Sequence, residues 1–274
     1  MKALRHSQHG LSLVELMVAL VLGMVLIAGF LQIFMSVRST YATNEGASRV
    51  QENGRFALDY LARHARMAGY SDPKNTDRPR PIVPTATSCD LGGNSDNFCT
   101  LHRALDTTAA TGAEVGSQIS FEYQPTLIES SSSRFDCKGS EFSSEKTIIT
   151  TFTTKVGENS SALAVRCMSA DGNSTSVNSK SLEELVDGID AFHIQYGLAP
   201  TGSITQYVTA NDVNNWSEVA ALRIAVLANS VTPVTPAPPA NKEYYLLETG
   251  PFTFDDGKMR QVFTTTVYLR NSVQ

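Results

Sequence analysis

From Leu11 to Met35 the chain is almost continuously apolar, and this run constrains the fold more than any other feature. Its one charge is Glu15, and Ser12 and Gln32 are its other clearly polar residues. At about 1.5 Å per residue the run makes a helix of roughly 37 Å, long enough to cross a bilayer core. Residues 1–10 before it are short, polar and basic and end in Gly10. Lys2 and Arg5 precede the span, so the positive-inside bias predicts a cytoplasmic N-terminus and a head outside. A secretory signal with a peptidase site fits poorly, because the span is too long and no small-x-small pattern follows Met35. The expectation is an anchor helix.

A carboxylate in such a helix is costly at the bilayer centre, about 2.5–3.5 kcal/mol on insertion scales. Near the end of the span, headgroup water relieves most of that cost, and Glu15 then needs no role. A cut after Gly10 gives it one. Glu15 then stands fifth in the shortened chain, where in a stack of such helices it faces a neighbour's free amine. Opposite charges in a low dielectric attract strongly and would set an axial register.

Gly10-Leu11-Ser12-Leu13-Val14-Glu15-Leu16 ahead of a long apolar helix resembles the type III signal of type IV pilins and pseudopilins. The resemblance implies cleavage between Gly10 and Leu11 by a prepilin peptidase, methylation of Leu11, and filament assembly through the helix with Glu15 as the register-setting acid. Leu11 stands where most members carry Phe, and Gln32 where many major pilins carry a helix-kinking Pro. Gly23 and Gly29 are alternative points of helix weakness.

No proline occurs from Ser36 to Tyr70, and the pattern there becomes amphipathic. Val50, Ala57, Leu58, Leu61, Ala65 and Ala68 fall near helical spacing, with Arg55, Asp59, Arg63 and Arg66 elsewhere on the wheel. One helix of roughly 55–60 residues is expected. Pro73 and Asp77-Arg78-Pro79-Arg80-Pro81 end it, with Gly46 and Gly54 as places where it could break. Residues 52–70 resemble the same helix in PilW-type minor pilins, although Ser71-Asp72 replaces the Gly-Cys of many relatives. The cluster Arg55, Arg63, His64 and Arg66 reads first as a solvated face and second as an anion or partner site.

Residues 71–110 read as loop. Strand-like runs follow at Ile119–Tyr123, Thr147–Lys155, Leu163–Met168, Phe192–Tyr196, Val219–Ala228, Tyr244–Leu247 and Gln261–Leu269. Ser130–Ser133, Asp171-Gly172-Asn173 and Asp255-Asp256-Gly257 read as turns between them. Ser181–Val186 has a Ser-x-x-Glu start and reads as a short helix. Thr232–Pro239 reads as an exposed hairpin connection. The expected fold is therefore α+β and pilin-like, a long N-terminal helix packed on an antiparallel sheet head. Its parts are a leader at 1–10, a membrane and filament-core helix at 11–35, an amphipathic continuation at 36–70, and a β-rich head at 71–274.

Four cysteines, Cys89, Cys99, Cys137 and Cys167, permit two disulfides in an oxidising compartment. Three pairings are possible, and the two nearest-neighbour ones, 89 with 99 and 137 with 167, close the shorter loops. No Cys-x-x-Cys pair suggests zinc. No metalloprotease, nucleophile-elbow or phosphate-loop motif is present, so neither an enzyme nor a cofactor is expected. His193, inside an apolar strand, reads as a packed residue and not a base. Asn211–Glu218 spaces oxygen ligands like part of a calcium loop but lacks its central Gly. Trp216 and Tyr207 read either as an adhesive surface or as loop anchors. The whole chain carries a net charge of −5, and a cut after Gly10 removes two cations more. Nucleic acid is thus no expected direct partner.

The segments Val186–Gly197, Trp216–Leu227 and Arg260–Asn271 resemble the PilW family and, more loosely, the J-type pseudopilins of type II secretion. The resemblance implies a minor pilin that joins other minor pilins and the major pilin in an initiating complex at the pilus tip. Such a complex supports adhesion, twitching motility and DNA uptake. It implies an inner-membrane protein before assembly, with its head in the periplasm, and a surface protein afterwards. A J-type pseudopilin capping a periplasmic filament and a tip adhesin or DNA receptor are the alternatives.

Overall fold

The computed structural model describes residues 12–71, 79–84, 99–103, 105–124, 134–135, 141–142, 147–158, 160–171 and 174–272. One helix, α1, runs unbroken over Leu13–Met67. Ser12 caps it: its Oγ accepts the backbone N–H of Glu15 at 3.2 Å. This is the serine half of a capping box, with an acid in the first turn where the helix dipole favours it. At the other end Gly69 takes a positive φ of 74° beside Pro81, which turns the chain out of the helix.

Among the described residues twelve strands follow: β1 (Glu114–Tyr123), β2 (Arg134–Phe135), β3 (Glu141–Phe142), β4 (Thr147–Lys155), β5 (Ala162–Asp171), β6 (Ser174–Asp187), β7 (Ile189–Leu198), β8 (Gln206–Val208), β9 (Val219–Asn229), β10 (Tyr244–Leu246), β11 (Thr249–Phe252) and β12 (Arg260–Tyr268). They form two four-stranded antiparallel sheets, ordered β1-β4-β5-β6 and β12-β9-β7-β8, and two small hairpins. Gly188 carries the chain from one sheet to the other. Its φ is 73°, and a side chain there would press on the Asn229 carbonyl and on Asn53 of α1. Only glycine meets both demands cheaply.

The amphipathic half of α1 seals the core. Val50, Ala57, Leu61, Ala65 and Ala68 are buried with Phe121, Phe152 and Leu163 of the first sheet and Phe192, Ile194, Ile224 and Val226 of the second. β7 is buried along its whole length, which is why its sequence runs apolar on both faces. β12 runs beside α1 in the same direction, with Phe263 at Gly54 and Asn271 donating from Nδ2 to the Ala68 carbonyl at 2.9 Å.

Two expectations need correction, at Ser181–Val186 and at Thr232–Pro239, and the expected continuous helix is present. Ser181–Val186 lies in β6, where Leu163 pairs with Val186 and Ala164 with Glu184 around a bulge. A capping pattern contributes only about 1 kcal/mol, less than the ladder that β5 offers. Gly46 and Gly54 do not break the helix. A Cβ at Gly54 would overlap the Phe263 ring, and one at Gly46 would sit 2.7 Å from Val234 Cγ1. Both glycines are contact points where side chains of the head come close to the helix axis. Thr232–Pro239 is no hairpin connection either, since β9 and β10 on its two sides belong to different sheets. It lies on α1 instead. Ser39 and Thr43 donate from their hydroxyls to the Thr235 carbonyl at 2.6 and 3.1 Å, and Val234 is buried against Gly46.

Candidate functional site

The site that the sequence singled out is the first half of α1. From Leu13 to Arg38 every residue but Gly23 is exposed, including Leu20, Ile27, Phe30 and Phe34. It is the single described helix long and apolar enough to cross a membrane, and none of that stretch is buried within the chain. Among the described residues an apolar surface of this size has no partner, and lipid or other helices are what would cover it. Glu15 is the single acid of that half and projects from the first turn. Gly10 and Leu11 lie outside the described residues. A Cβ added at Gly23 or Gly29 would meet nothing within 4 Å, and the helix runs through both without a break.

The second half of α1 is the opposite kind of surface. Arg49 pairs with Glu45 at 2.7 Å and Arg63 with Asp59 at 2.8 Å, each one helical turn apart. His64 does not belong to the exposed cationic cluster. It is buried, its Nδ1 donates to the Tyr60 carbonyl at 3.0 Å, and its ring meets Phe152 at 5.0 Å. Burial pushes its pKa down. Of the cluster Arg55, Arg63, His64 and Arg66, the three arginines are exposed and His64 is not.

Two polar clusters inside the head escaped the sequence reading. Arg260 is buried and donates from Nε to Asp190 at 2.7 Å and from both terminal nitrogens to Asp256 at 2.6 Å. Asn229 Nδ2 donates to the second Asp190 oxygen at 2.8 Å, and the Arg260 guanidinium lies 3.7 Å from the Phe254 ring centre. Burial pushes the Asp190 carboxyl above its usual range against the pull of Arg260. Asp256, less enclosed, is held below that range by the Arg260 hydrogen bonds even though its partial burial acts the other way. Asp190, Asp256, Arg260 and Phe254 line a polar cleft of about 170 Å³. An acid at position 190 flanked by Ile189, Ala191 and Phe192 is the one signal that could have found it.

In the second cluster Ser117 Oγ stands 3.2 Å from His193 Nδ1 and 3.4 Å from His102 Nδ1, and the two imidazoles pack 4.6 Å apart. His193 is 3% exposed, and its Nε2 has no partner. Burial first, and then the neighbouring His102, push its pKa down to about 4. It is a packed histidine, as its strand position suggests. Among the described residues no three metal-ligating side chains converge. In the segment that resembled a calcium loop, Asn215 donates to Glu218 at 2.9 Å and Thr209 to Asp212 at 2.6 Å. Trp216 packs edge-on against Tyr196 at 5.1 Å, and Tyr207 lies under Arg223 at 4.0 Å. Both aromatics are anchors. Neither Cys99 nor Cys167 is a free thiol, while Cys89 and Cys137 lie outside the described residues.

Residues 151–271 match the family described as Type IV Pilus-assembly protein W, and residues 5–31 match the prokaryotic N-terminal methylation motif. Among solved structures the chain is similar to a type IV-like pilin from Thermus thermophilus, at 16% identity and a TM-score of 0.46, over 82% of this chain and 98% of that one. No curated protein matches it.

Proposed function

We propose that this chain, a type IV pilus protein of the PilW family, is a minor pilin that helps to start pilus assembly within a complex at the filament tip. The bare apolar half of α1 carries this reading, because it projects from a core that the other half of the same helix already closes. In the membrane that half is covered by lipid, and in a filament by other helices. Transfer between the two gains little hydrophobic energy, so packing and polar pairing select the assembled geometry. Glu15 supplies the polar pairing. After cleavage between Gly10 and Leu11 and methylation of Leu11, its carboxylate meets the amine of an adjacent subunit. The partners are a prepilin peptidase, the other minor pilins and the major pilin, and the role supports adhesion, twitching and DNA uptake. The head hangs in the periplasm before assembly and reaches the surface afterwards, held by the disulfides Cys89–Cys99 and Cys137–Cys167.

Deletion of the gene, with surface pili and secreted enzymes assayed together, tests the reading. Sparse pili with normal secretion, restored by the wild-type gene and not by Glu15→Ala, are expected. Normal pili with failed secretion would place the protein in a secretion pseudopilus.

A further inference from the structure

Among the described residues outside the apolar helix, the loop between β9 and β10 is an unusual exposed surface, and its height on α1 gives it a partner. The apolar run ends at Met35, and Ser39 follows one helical turn later, about 6 Å farther along the axis. Ser39 and Thr43 both donate to the Thr235 carbonyl, so the loop is pinned at that level and not merely near it. The headgroup layer beyond each side of a bilayer's hydrocarbon core is roughly 5–8 Å thick. A helix that spans the core therefore sets Thr235 within or at the rim of that layer.

The composition of the loop suits the place. Pro236-Ala237-Pro238-Pro239-Ala240 carries no charge and no side-chain donor, and its prolines lack the backbone N–H that partial dehydration would leave unmet. Positions 235–237 and 239–242 are nevertheless exposed. Arg38 and Tyr41 stand on α1 on either side of Ser39, and Lys242 closes the segment, with the acid Glu243 next to it. Arg38 folds its guanidinium over the Phe34 ring at 4.8 Å, and Lys242 lies 5.1 Å from the Tyr244 ring centre. Tyr41 on α1 is 71% exposed. Tyrosine and long cationic side chains are the residues that settle at a membrane interface, and cations there attract anionic headgroups.

We propose that residues 235–242 dock on the phospholipid headgroup layer of the membrane that α1 spans, so that before assembly the head stands on the bilayer through this loop. The proposal rests on reading residues 13–35 as a membrane span. Docking sets the tilt of the head relative to the membrane, and leaving the membrane for the filament requires the loop to detach.

The test uses the full chain in vesicles of phosphatidylethanolamine and phosphatidylglycerol, with a bimane fluorophore on one introduced cysteine at a time. Ala240→Cys reports the loop, Thr266→Cys the part of the head far along α1, and Met24→Cys the span. Lipids with a nitroxide on the headgroup are expected to quench Ala240→Cys at least about three-fold more than Thr266→Cys. Lipids with a mid-chain nitroxide quench Met24→Cys. Equal quenching at positions 240 and 266, with Met24→Cys quenched, overturns the docking alone. If Met24→Cys also escapes its quencher, the span reading fails and the docking falls with it. All three substitutions are at exposed positions, so folding is preserved in each.

Discussion

The two halves of α1 are one continuous helix with opposite relations to the rest of the chain. From Leu13 to Arg38 no contact with the head is found among the described residues, and its glycines, Gly23 and Gly29, face empty space. From Ser39 to Met67 it is clasped, by the Thr235 carbonyl at one end, the Phe263 ring in the middle and Asn271 at the other. The same residue type does different work in each. A glycine in the bare half only weakens the helix, whereas Gly46 and Gly54 let the head approach its axis. Helix propensity thus describes the first half, and only tertiary contact explains the second.

If the head is an independent scaffold, its stability depends on its buried polar group and not on the bare helix. Asp190→Ala leaves the Arg260 guanidinium and Asn229 short of a buried partner, and breaking a buried pair in this way costs about 3–5 kcal/mol. Chemical denaturation of the detergent-solubilised chain is expected to show that loss. A loss under about 1 kcal/mol would mean that Asp256 alone satisfies Arg260. Next in size is the glycine pair. Gly54→Val forces the Phe263 ring off the helix and costs about 1–3 kcal/mol, while Gly29→Ala in the bare half costs nothing and favours the helix by up to about 1 kcal/mol. Equal effects at the two sites would remove the distinction between the halves.

A smaller effect appears with acid. His193 is held neutral in the fold, with its pKa pushed down to about 4 from an unfolded value of about 6.5. Between those values the unfolded chain binds the extra proton, so stability is full above about pH 6.5 and falls as the pH drops toward about 4. One such histidine contributes at most about 1.4 kcal/mol per pH unit. His64 and His102 are lowered by burial too and add to the slope. The check is His193→Gln, which is expected to flatten the stability profile between about pH 6.5 and 5.5 by about 1 kcal/mol. An unchanged slope would assign the proton uptake to the other two.

How much of this is legible in the sequence depends on whether a neighbour intervenes. The long helix, its buried face at Val50, Ala57, Leu61, Ala65 and Ala68, and Thr147–Lys155 as a strand all follow from local pattern, and the structure has them. The Ser-x-x-Glu pattern shows the limit, because it occurs twice with different outcomes. At Ser12 the helix behind it has no competitor, and the serine caps it. At Ser181 the open side of β5 recruits the segment into a ladder, and the chain there is strand. The surroundings of His64, Asp190 and Arg260 do not show in the sequence for the same reason. Tyr60 and Asp256 are local partners of His64 and Arg260, but Phe152 beside His64 and the Asp190–Arg260 and Asp190–Asn229 pairs join elements tens of residues apart, where periodicity does not reach. The leader cleavage at Gly10 and Leu11 and the cysteines at 89 and 137 fall outside the described residues.

The smallest expected effect divides the halves most cleanly. Among the described residues Glu15 has no partner in the head, and its backbone N–H bonds locally to Ser12 Oγ. Glu15→Ala keeps that backbone bond, removes only a first-turn acid worth about 0.3–1 kcal/mol to the helix start, and leaves every head contact in place. Thermal melting followed on the head's tyrosines and Trp216 is expected to move by less than about 1 °C, since surface changes remote from the core fall within about 0.5 kcal/mol and the helix start frays without unfolding the head. Assembly into pili is expected to fail in the same variant. A melting shift as large as that of Gly54→Val would mean that the bare half folds back on the head, and the division of α1 into an assembly half and a seated half would no longer hold.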